Sequence, residues 1–146
     1  MEKIIIKCRS VVGGFAEGEA LVTNQPISFW GGLDPKSGLI VDKRHELWGK
    51  NVSGKILIFP YGRGSVSGTT VLLEAIRCDK APKAIINIET EPIIAAAAVL
   101  AEKIYGKTVP IVDRPEVNPI DVIKTDDIVK VDATARIIEV KSKSNC

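Results

Sequence analysis

The sequence predicts one layered β/β/α domain, and three observations support this α/β fold class. Short β-rich segments separated by turn residues fill the first half of the chain. The second half alternates between helix-like and strand-like segments, and two further strands end it. A length of 146 residues suits a single domain with its own hydrophobic core. We therefore expect one domain over residues 1–140, followed by a frayed tail at 141–146.

Four strands are predicted in the first half. Each is a short apolar or β-branched run next to turn residues such as glycine, asparagine, aspartate or proline. The runs cover residues 4–7, 17–22, 27–29 and 55–59. Residues 34–54 are polar and lack periodicity, which indicates a long ordered loop. Loops of that length in compact domains usually form functional or binding surfaces.

Two helices alternate with strands in the second half. The helices cover residues 68–77 and 91–105, and the strands cover 83–88, 109–112, 128–132 and 136–140. Pro92 suits the first turn of the second helix, and Gly106 suits a left-handed cap at its end. Residues 93–100 of this helix are apolar nearly all round. Such a helix is buried in the domain or covered by a partner, and burial in the domain is the commoner outcome.

Composition argues against nucleic acid and membranes as partners. The net charge is only +2 and aromatic residues make up 5%, so neither a basic patch nor a base-stacking surface is indicated. The longest apolar run, residues 93–101, is far shorter than the ~20 residues of a membrane-spanning helix. The N-terminal apolar run is too short for a signal peptide. We expect a cytoplasmic protein.

The three cysteines, Cys8, Cys78 and Cys146, are widely separated along the chain. Their spacing does not suit a disulfide framework, and free buried thiols are the usual outcome. Zinc and iron–sulfur sites draw on clustered thiolates, so we assign no metal ligand to this chain. Any metal chemistry would then depend on another chain.

Residues 60–70, with the sequence PYGRGSVSGTT, are the most informative segment. They follow a strand-like run at 56–59 and precede a helix-like run at 71–76. Glycines let a ligand approach the backbone, and a helix N-terminus offers unpaired N–H groups. The Arg63 guanidinium can bind a carboxylate or phosphate through two hydrogen bonds. The segment indicates an anion-binding loop, although a tight turn before a capped helix has a similar composition.

Familiar catalytic signatures are incomplete. The pair Gly62 and Gly64 lacks the third glycine of a dinucleotide fingerprint, and no lysine precedes Thr69 as it would in a P-loop. His45 is the only histidine, which excludes a two-histidine zinc protease motif and disfavours a self-contained Ser-His-Asp triad. A lone histidine is more often structural or interfacial than catalytic.

Ser65 is the remaining candidate for chemistry. A serine hydroxyl acts as a base only when N–H groups or a guanidinium stabilise its alkoxide. A glycine-rich loop beside Arg63 could supply both. The same serine could instead cap the helix that follows, and the spacing alone leaves both roles open.

Three motifs in this order resemble the small subunit of the aconitase X family. They are Gly31-Gly32-Leu33-Asp34-Pro35, His45-Glu46-Leu47 and residues 60–69. The similarity covers about residues 4–140. The resemblance implies a swivelling β/β/α domain, like the mobile domain of aconitases, that closes on a large subunit. In the family that large subunit carries an iron–sulfur cluster, so no cofactor is expected in this chain.

The same resemblance implies roles for individual residues. Ser65 would be the proton acceptor next to the substrate carboxylate. The residues that would bind the substrate anion or stabilise the alkoxide are Gly62, Arg63 and Gly64. The residues that would line the site or face the large subunit are Gly32, Asp34 and His45.

The implied reaction is the dehydration of a small anionic β-hydroxy acid. In the archaeal branch, (R)-5-phosphomevalonate becomes trans-anhydromevalonate 5-phosphate in a modified mevalonate pathway, whereas another branch dehydrates cis-3-hydroxyproline. The motifs do not separate these branches, because the large subunit is expected to read substrate shape. The stand-alone chain and its Ile/Lys-rich composition favour the archaeal branch. Two other classes stay open: a stand-alone anion-binding module, and an assembly protein that docks through residues 34–54.

Overall fold

Eight strands and three helices lie within residues 3–63 and 66–141, which the computed structural model describes. The strands are β1 (Lys3–Lys7), β2 (Arg9–Val12), β3 (Phe15–Val22), β4 (Ile56–Ile58), β5 (Ala84–Ile86), β6 (Ile111–Asp113), β7 (Ile128–Asp132) and β8 (Ile137–Lys141). The helices are α1 (Ser67–Arg77), α2 (Pro92–Tyr105) and α3 (Pro119–Val122). The strands form a mixed sheet in the order β1-β8-β7-β3-β4-β5-β6-β2.

The long strand β3 belongs to both an antiparallel and a parallel part of this sheet. Its residues 15–19 pair with β7, and antiparallel pairing continues through β8 to β1. Its residues 20–22 pair in parallel with β4, and β5 and β6 continue in parallel. β2 pairs antiparallel with β6 at the far edge.

Two hydrophobic clusters separate three layers. One cluster joins the parallel strands to α1 and α2 and includes Leu57 and Leu72. The other joins the opposite face of the parallel strands to the antiparallel strands and includes Ile56, Ile58 and Val131. Successive β4 side chains point to opposite faces, so one strand serves both clusters. This arrangement confirms the predicted β/β/α layering.

The predicted bounds of α1 and α2 are confirmed to within one residue. α2 begins at Pro92, whose fixed φ suits the first helical turn, and it ends at Gly106 with φ of +67°. Its inner face is buried through residues such as Ile94 and Ala98, but Val99 and Leu100 on the outer face are exposed. Only one face of this apolar helix is therefore buried. Within the described ranges, the helices are too short or too polar to cross a membrane.

Proline explains two differences from the predicted strands. Residues 27–29 do not form a strand, and Ile27 makes only an isolated parallel bridge with Gly62. Pro26 precedes this bridge and has no N–H to extend a ladder. β6 begins at Ile111 rather than at residue 109, because Pro110 cannot donate to the ladder either.

Two short elements, β2 and α3, are missing from the predicted set. β2 has four residues and lies at the sheet edge, where periodicity gives little signal. α3 is a single turn, but its sequence does contain a start signal. The Asn118 side chain accepts a hydrogen bond from the N–H of Ile120 at 3.1 Å, and Pro119 follows Asn118 directly.

The long loop at residues 34–54 is ordered, as predicted. The Ile40 N–H donates to the Lys50 carbonyl at 2.9 Å, and the Val52 N–H donates to the Gly38 carbonyl at 2.8 Å. Leu47 and Val52 are buried in the cluster beside α1 and α2. At the other end of the chain, β8 ends at residue 141, one residue beyond the predicted domain limit, and residues 142–146 lie outside the described residues.

Candidate functional site

The predicted anion-binding loop follows the carboxyl end of β4. In open α/β sheets, ligands bind outside the carboxyl ends of parallel strands, where connecting loops converge. Here the loops after β4, β5 and β6 all leave the same edge of the parallel strands. The geometry therefore places the loop where ligand sites commonly occur.

An open cleft of about 420 Å³ adjoins this loop. It brings together Gly32, His45 and Arg63, one residue from each motif singled out in the sequence. The lining also includes residues 25–28, Asp42 and Arg44, which sequence reasoning did not identify as site residues. Asp42 and Arg44 closely precede His45 in sequence, and that proximity is the signal that could have revealed them.

Residues 26 and 27 connect the two loops that form the cleft. The N–H of Arg63 donates to the Ile27 carbonyl at 2.9 Å. The ring Nε2 of His45 lies 3.1 Å from the Pro26 carbonyl oxygen. One short segment therefore fixes the loop that carries Arg63 and the loop that carries His45.

The hydrogen bonds of His45 define its tautomer. The Leu47 N–H donates to Nδ1 at 3.0 Å, so Nδ1 carries no proton. The Pro26 carbonyl can only accept, so Nε2 carries the proton. Both ring nitrogens are thus occupied by backbone groups. His45 therefore positions the loop and is not free to act as a base.

Gly32 is required by a close approach of two backbone segments. A Cβ at this position would lie 2.1 Å from the Ser28 carbonyl oxygen. Gly32 also accepts a hydrogen bond from the N–H of Val41 at 2.9 Å. The glycine thus lets the loop at residues 28–33 fold tightly beside the cleft.

Two other predicted site residues serve the chain's own structure. The Asp34 carboxylate accepts hydrogen bonds from the Ser37 hydroxyl at 2.8 Å and the Lys36 N–H at 3.1 Å. These bonds hold the pKa of Asp34 below its usual value. Gly62 is buried, and a Cβ there would lie 2.6 Å from Cδ1 of Ile94 in α2. Both residues are placed next to the cleft rather than in its lining.

Gly64 and Ser65 lie outside the described residues, but their flanks are defined. Arg63 is tied to Ile27 on one side, and Val66, which has helical backbone angles, leads into α1 on the other. The assignment of Ser65 as proton acceptor and of Gly64 as an anion-binding residue remains a prediction.

A buried polar cluster, absent from the sequence-based candidates, secures the same edge of the sheet. Asp113 at the end of β6 is fully buried and receives two hydrogen bonds of 2.7 Å from Arg9. The Thr90 N–H donates to the same carboxylate at 2.8 Å, and the Thr90 hydroxyl donates to the Asn87 side chain at 3.2 Å. The Asn87 amide donates to the Phe59 carbonyl at 2.9 Å. The loops after β4, β5 and β6 are thereby connected.

This cluster also shifts two pKa values. Burial alone would raise the pKa of Asp113, but the hydrogen bonds from Arg9 and Thr90 outweigh it and hold that pKa below its usual value. Burial is the main cause that raises the pKa of the Cys8 thiol to about 11, and the nearby Asp113 charge contributes to the same shift. Cys8 therefore stays protonated near neutral pH and is a poor nucleophile.

We expect the Asp113 cluster to make stability sensitive to acid. Because the folded-state pKa is lowered, ionised Asp113 stabilises the fold above the unfolded-state pKa near 4, and this contribution is lost as pH falls through the folded-state pKa. Urea unfolding at pH 7 and at pH 3 measures this contribution to the free energy of unfolding. Asp113→Asn should lose less stability than the wild type between these pH values. Equal losses in the two proteins would contradict this assignment.

The fold and the cleft together define a swivel domain of the aconitase type. The aconitase X swivel domain family matches residues 5–140. The chain belongs to this family, which confirms the resemblance seen in the three motifs.

Relatives and a solved structure agree with this membership. The phosphomevalonate dehydratase small subunit of Methanocella arvoryzae is 47% identical over 92% of this chain and 97% of its own length. Relatives from Methanosarcina acetivorans and Thermococcus kodakarensis carry the same name. The holo-form crystal structure of Thermococcus kodakaraensis aconitase X superposes with a TM-score of 0.85 at 38% identity, covering 95% of this chain and 99% of that chain.

A relative with another substrate in its name is also similar. The cis-3-hydroxy-L-proline dehydratase of Pseudomonas aeruginosa is 43% identical over 73% of this chain, which corresponds to only 18% of that protein. The match is therefore partial on both sides.

Proposed function

We propose that this chain is the small subunit of a two-chain hydro-lyase that dehydrates (R)-5-phosphomevalonate to trans-anhydromevalonate 5-phosphate. The observation that carries the proposal is the convergence of Gly32, His45 and Arg63 on one cleft at the carboxyl edge of the parallel strands. Relatives that match nearly the whole chain are named as small subunits of this dehydratase.

In this proposal the chain binds the substrate carboxylate and removes the proton beside it. Arg63 lines the cleft and is exposed, so its guanidinium is available to bind a carboxylate. Ser65, two residues further, accepts the proton from the carbon next to that carboxylate. The electron pair of the broken C–H bond becomes the second bond of the alkene. The C–O bond at the adjacent carbon breaks, and the hydroxide takes up a proton to leave as water.

We propose that the large subunit supplies the iron–sulfur cluster. Within residues 3–63 and 66–141, no group of three or more His, Cys, Asp or Glu side chains is arranged to hold a metal ion. The described cysteines, Cys8 and Cys78, are both free thiols. The residues that the structure describes therefore do not fit a cluster, and in this proposal the chain contributes substrate binding and proton transfer.

Exposed aromatic side chains near the cleft support a protein partner. Trp30 is 63% exposed and Trp48 is 57% exposed, and each lies on one of the loops that form the cleft. Tyr61 and Val66, on the loop after β4, are exposed as well. Exposed large apolar side chains beside a ligand cleft suit contact with another protein. We propose that this surface contacts the large subunit.

The test is co-expression with the large subunit under anaerobic conditions. The complex is expected to dehydrate (R)-5-phosphomevalonate, and the isolated chain is expected to be inactive and to bind no iron. Alkene formation and iron content measure these outcomes. An iron–sulfur cluster on the isolated chain would overturn the two-chain assignment.

The same preparation separates the other candidate functions. Dehydration of cis-3-hydroxyproline instead of (R)-5-phosphomevalonate would favour the activity named for the Pseudomonas relative. Phosphate binding by the isolated chain, together with an inactive complex, would favour a stand-alone anion-binding module.

A further inference from the structure

A second arginine lines the cleft from a different loop than the predicted anion-binding loop. Arg44 lies next to His45, and its side chain is 96% exposed. Its Nε lies 3.9 Å from an Asp42 carboxylate oxygen, at the limit of an ion pair. Such an exposed, loosely held guanidinium loses little when it exchanges this partner for a ligand.

The position of the Arg44 backbone is nevertheless well fixed. Its N–H donates to the Asp42 side chain at 3.0 Å. The His45 side chain that follows is held between the Leu47 N–H and the Pro26 carbonyl. Because Arg63 is bound to the neighbouring Ile27 carbonyl, two separate loops present one arginine each to a shared cleft.

The charges that face the cleft leave it net positive. Arg44 and Arg63 each contribute one positive charge, and Asp42 contributes one negative charge. Both ring nitrogens of His45 are occupied by backbone groups, and residues 25–28 carry no charged side chain. Two cations on separate loops suit a ligand with an anionic group at each end.

We propose that Arg44 binds the phosphate of the substrate while Arg63 binds its carboxylate. This inference rests on the proposed function, which requires Ser65 to reach the carbon beside the carboxylate. Arg63 is close to Ser65 in the chain, so the carboxylate end belongs with Arg63. The phosphate, at the opposite end of the carbon chain, then meets Arg44. The small subunit itself therefore selects a phosphorylated substrate.

The test compares three variants in the assembled complex with the large subunit. Arg44→Gln is expected to raise KM for (R)-5-phosphomevalonate about 10–100-fold, the usual worth of a charge-assisted hydrogen-bond pair, with kcat changed little. Arg44→Lys should recover most of this loss, because lysine binds phosphate as a point charge. Lys43→Gln is the matched control, since it removes an adjacent exposed charge outside the cleft lining.

Inorganic phosphate provides a second readout. It should inhibit the wild-type complex competitively, and the inhibition constant should rise in Arg44→Gln by a factor similar to that for KM. An unchanged Tm shows that the variant complex is folded and assembled.

The possible failures are distinguishable. A wild-type complex that turns over (R)-5-phosphomevalonate, with an unchanged KM in Arg44→Gln, overturns the Arg44 assignment and leaves the proposed function standing. An assembled wild-type complex without this activity overturns both. An equal rise of KM in Lys43→Gln would indicate general electrostatic attraction and also overturn the assignment.

Discussion

Replacing Ser65 with alanine is expected to lower kcat of the assembled two-chain enzyme by about 10²–10⁴-fold, the usual worth of a positioned acid–base group. KM should change less, because a base acts mainly in the transition state. Steady-state kinetics of the purified complex measure both constants. Arg63→Lys should differ, since lysine keeps the charge but loses the two-point contact with a carboxylate, so KM should rise as well.

The control for Ser65→Ala is Ser10→Ala, which removes a hydroxyl from β2 outside the cleft lining. It should leave turnover unchanged. A purely structural role for Ser65 gives another pattern, in which stability falls by about 0.5–2 kcal/mol while kcat stays normal. Normal turnover in Ser65→Ala would contradict the catalytic role.

Gly32→Ala is expected to destabilise the domain by about 1–3 kcal/mol, as overpacking of a tight site usually does. The added methyl group would lie 2.1 Å from the Ser28 carbonyl oxygen, and a backbone atom cannot turn aside as a flexible side chain can. The loop at residues 28–33 must then shift, and the cleft with it. Thermal and urea unfolding of the isolated chain measure the loss of stability.

Gly13→Ala is the matched control for this substitution. A Cβ at Gly13 would lie 3.4 Å from the Thr134 hydroxyl oxygen, at the margin of ordinary contact. The stability of Gly13→Ala should therefore stay near that of the wild type. Equal stability of Gly32→Ala and the wild type would show that the loop accommodates a side chain, contrary to the close approach described here.

Local signals made the segment at residues 56–77 and the helix α2 predictable. An apolar run, a glycine-rich loop and a helix start follow one another in sequence, and the structure has β4, the loop and α1 in that order. Pro92 and Gly106 act on the backbone of their own helix, so their effect does not depend on distant residues.

The rest of the site depends on contacts between distant residues. Arg9 and Asp113 are 104 positions apart, and only the pairing of β2 with β6 brings them together. The cleft arises in the same way, because residues 26 and 27 bind two loops that the sequence separates. The motifs suggested that Gly32, His45 and Arg63 act at one site, but composition alone could not show that Asp34 stabilises its own turn.

The pairing of β1 with β8 has a consequence for how the domain folds. The two strands pair from Lys3–Lys141 to Lys7–Ile137, so residues far apart in sequence lie side by side. Among the described strands, β8 is the only ladder partner of β1, which lies at the edge of the sheet. Contacts between residues that are distant in sequence form late and slow folding, because the intervening chain must first be ordered. We therefore expect the β1 edge of the sheet to join the domain late in folding.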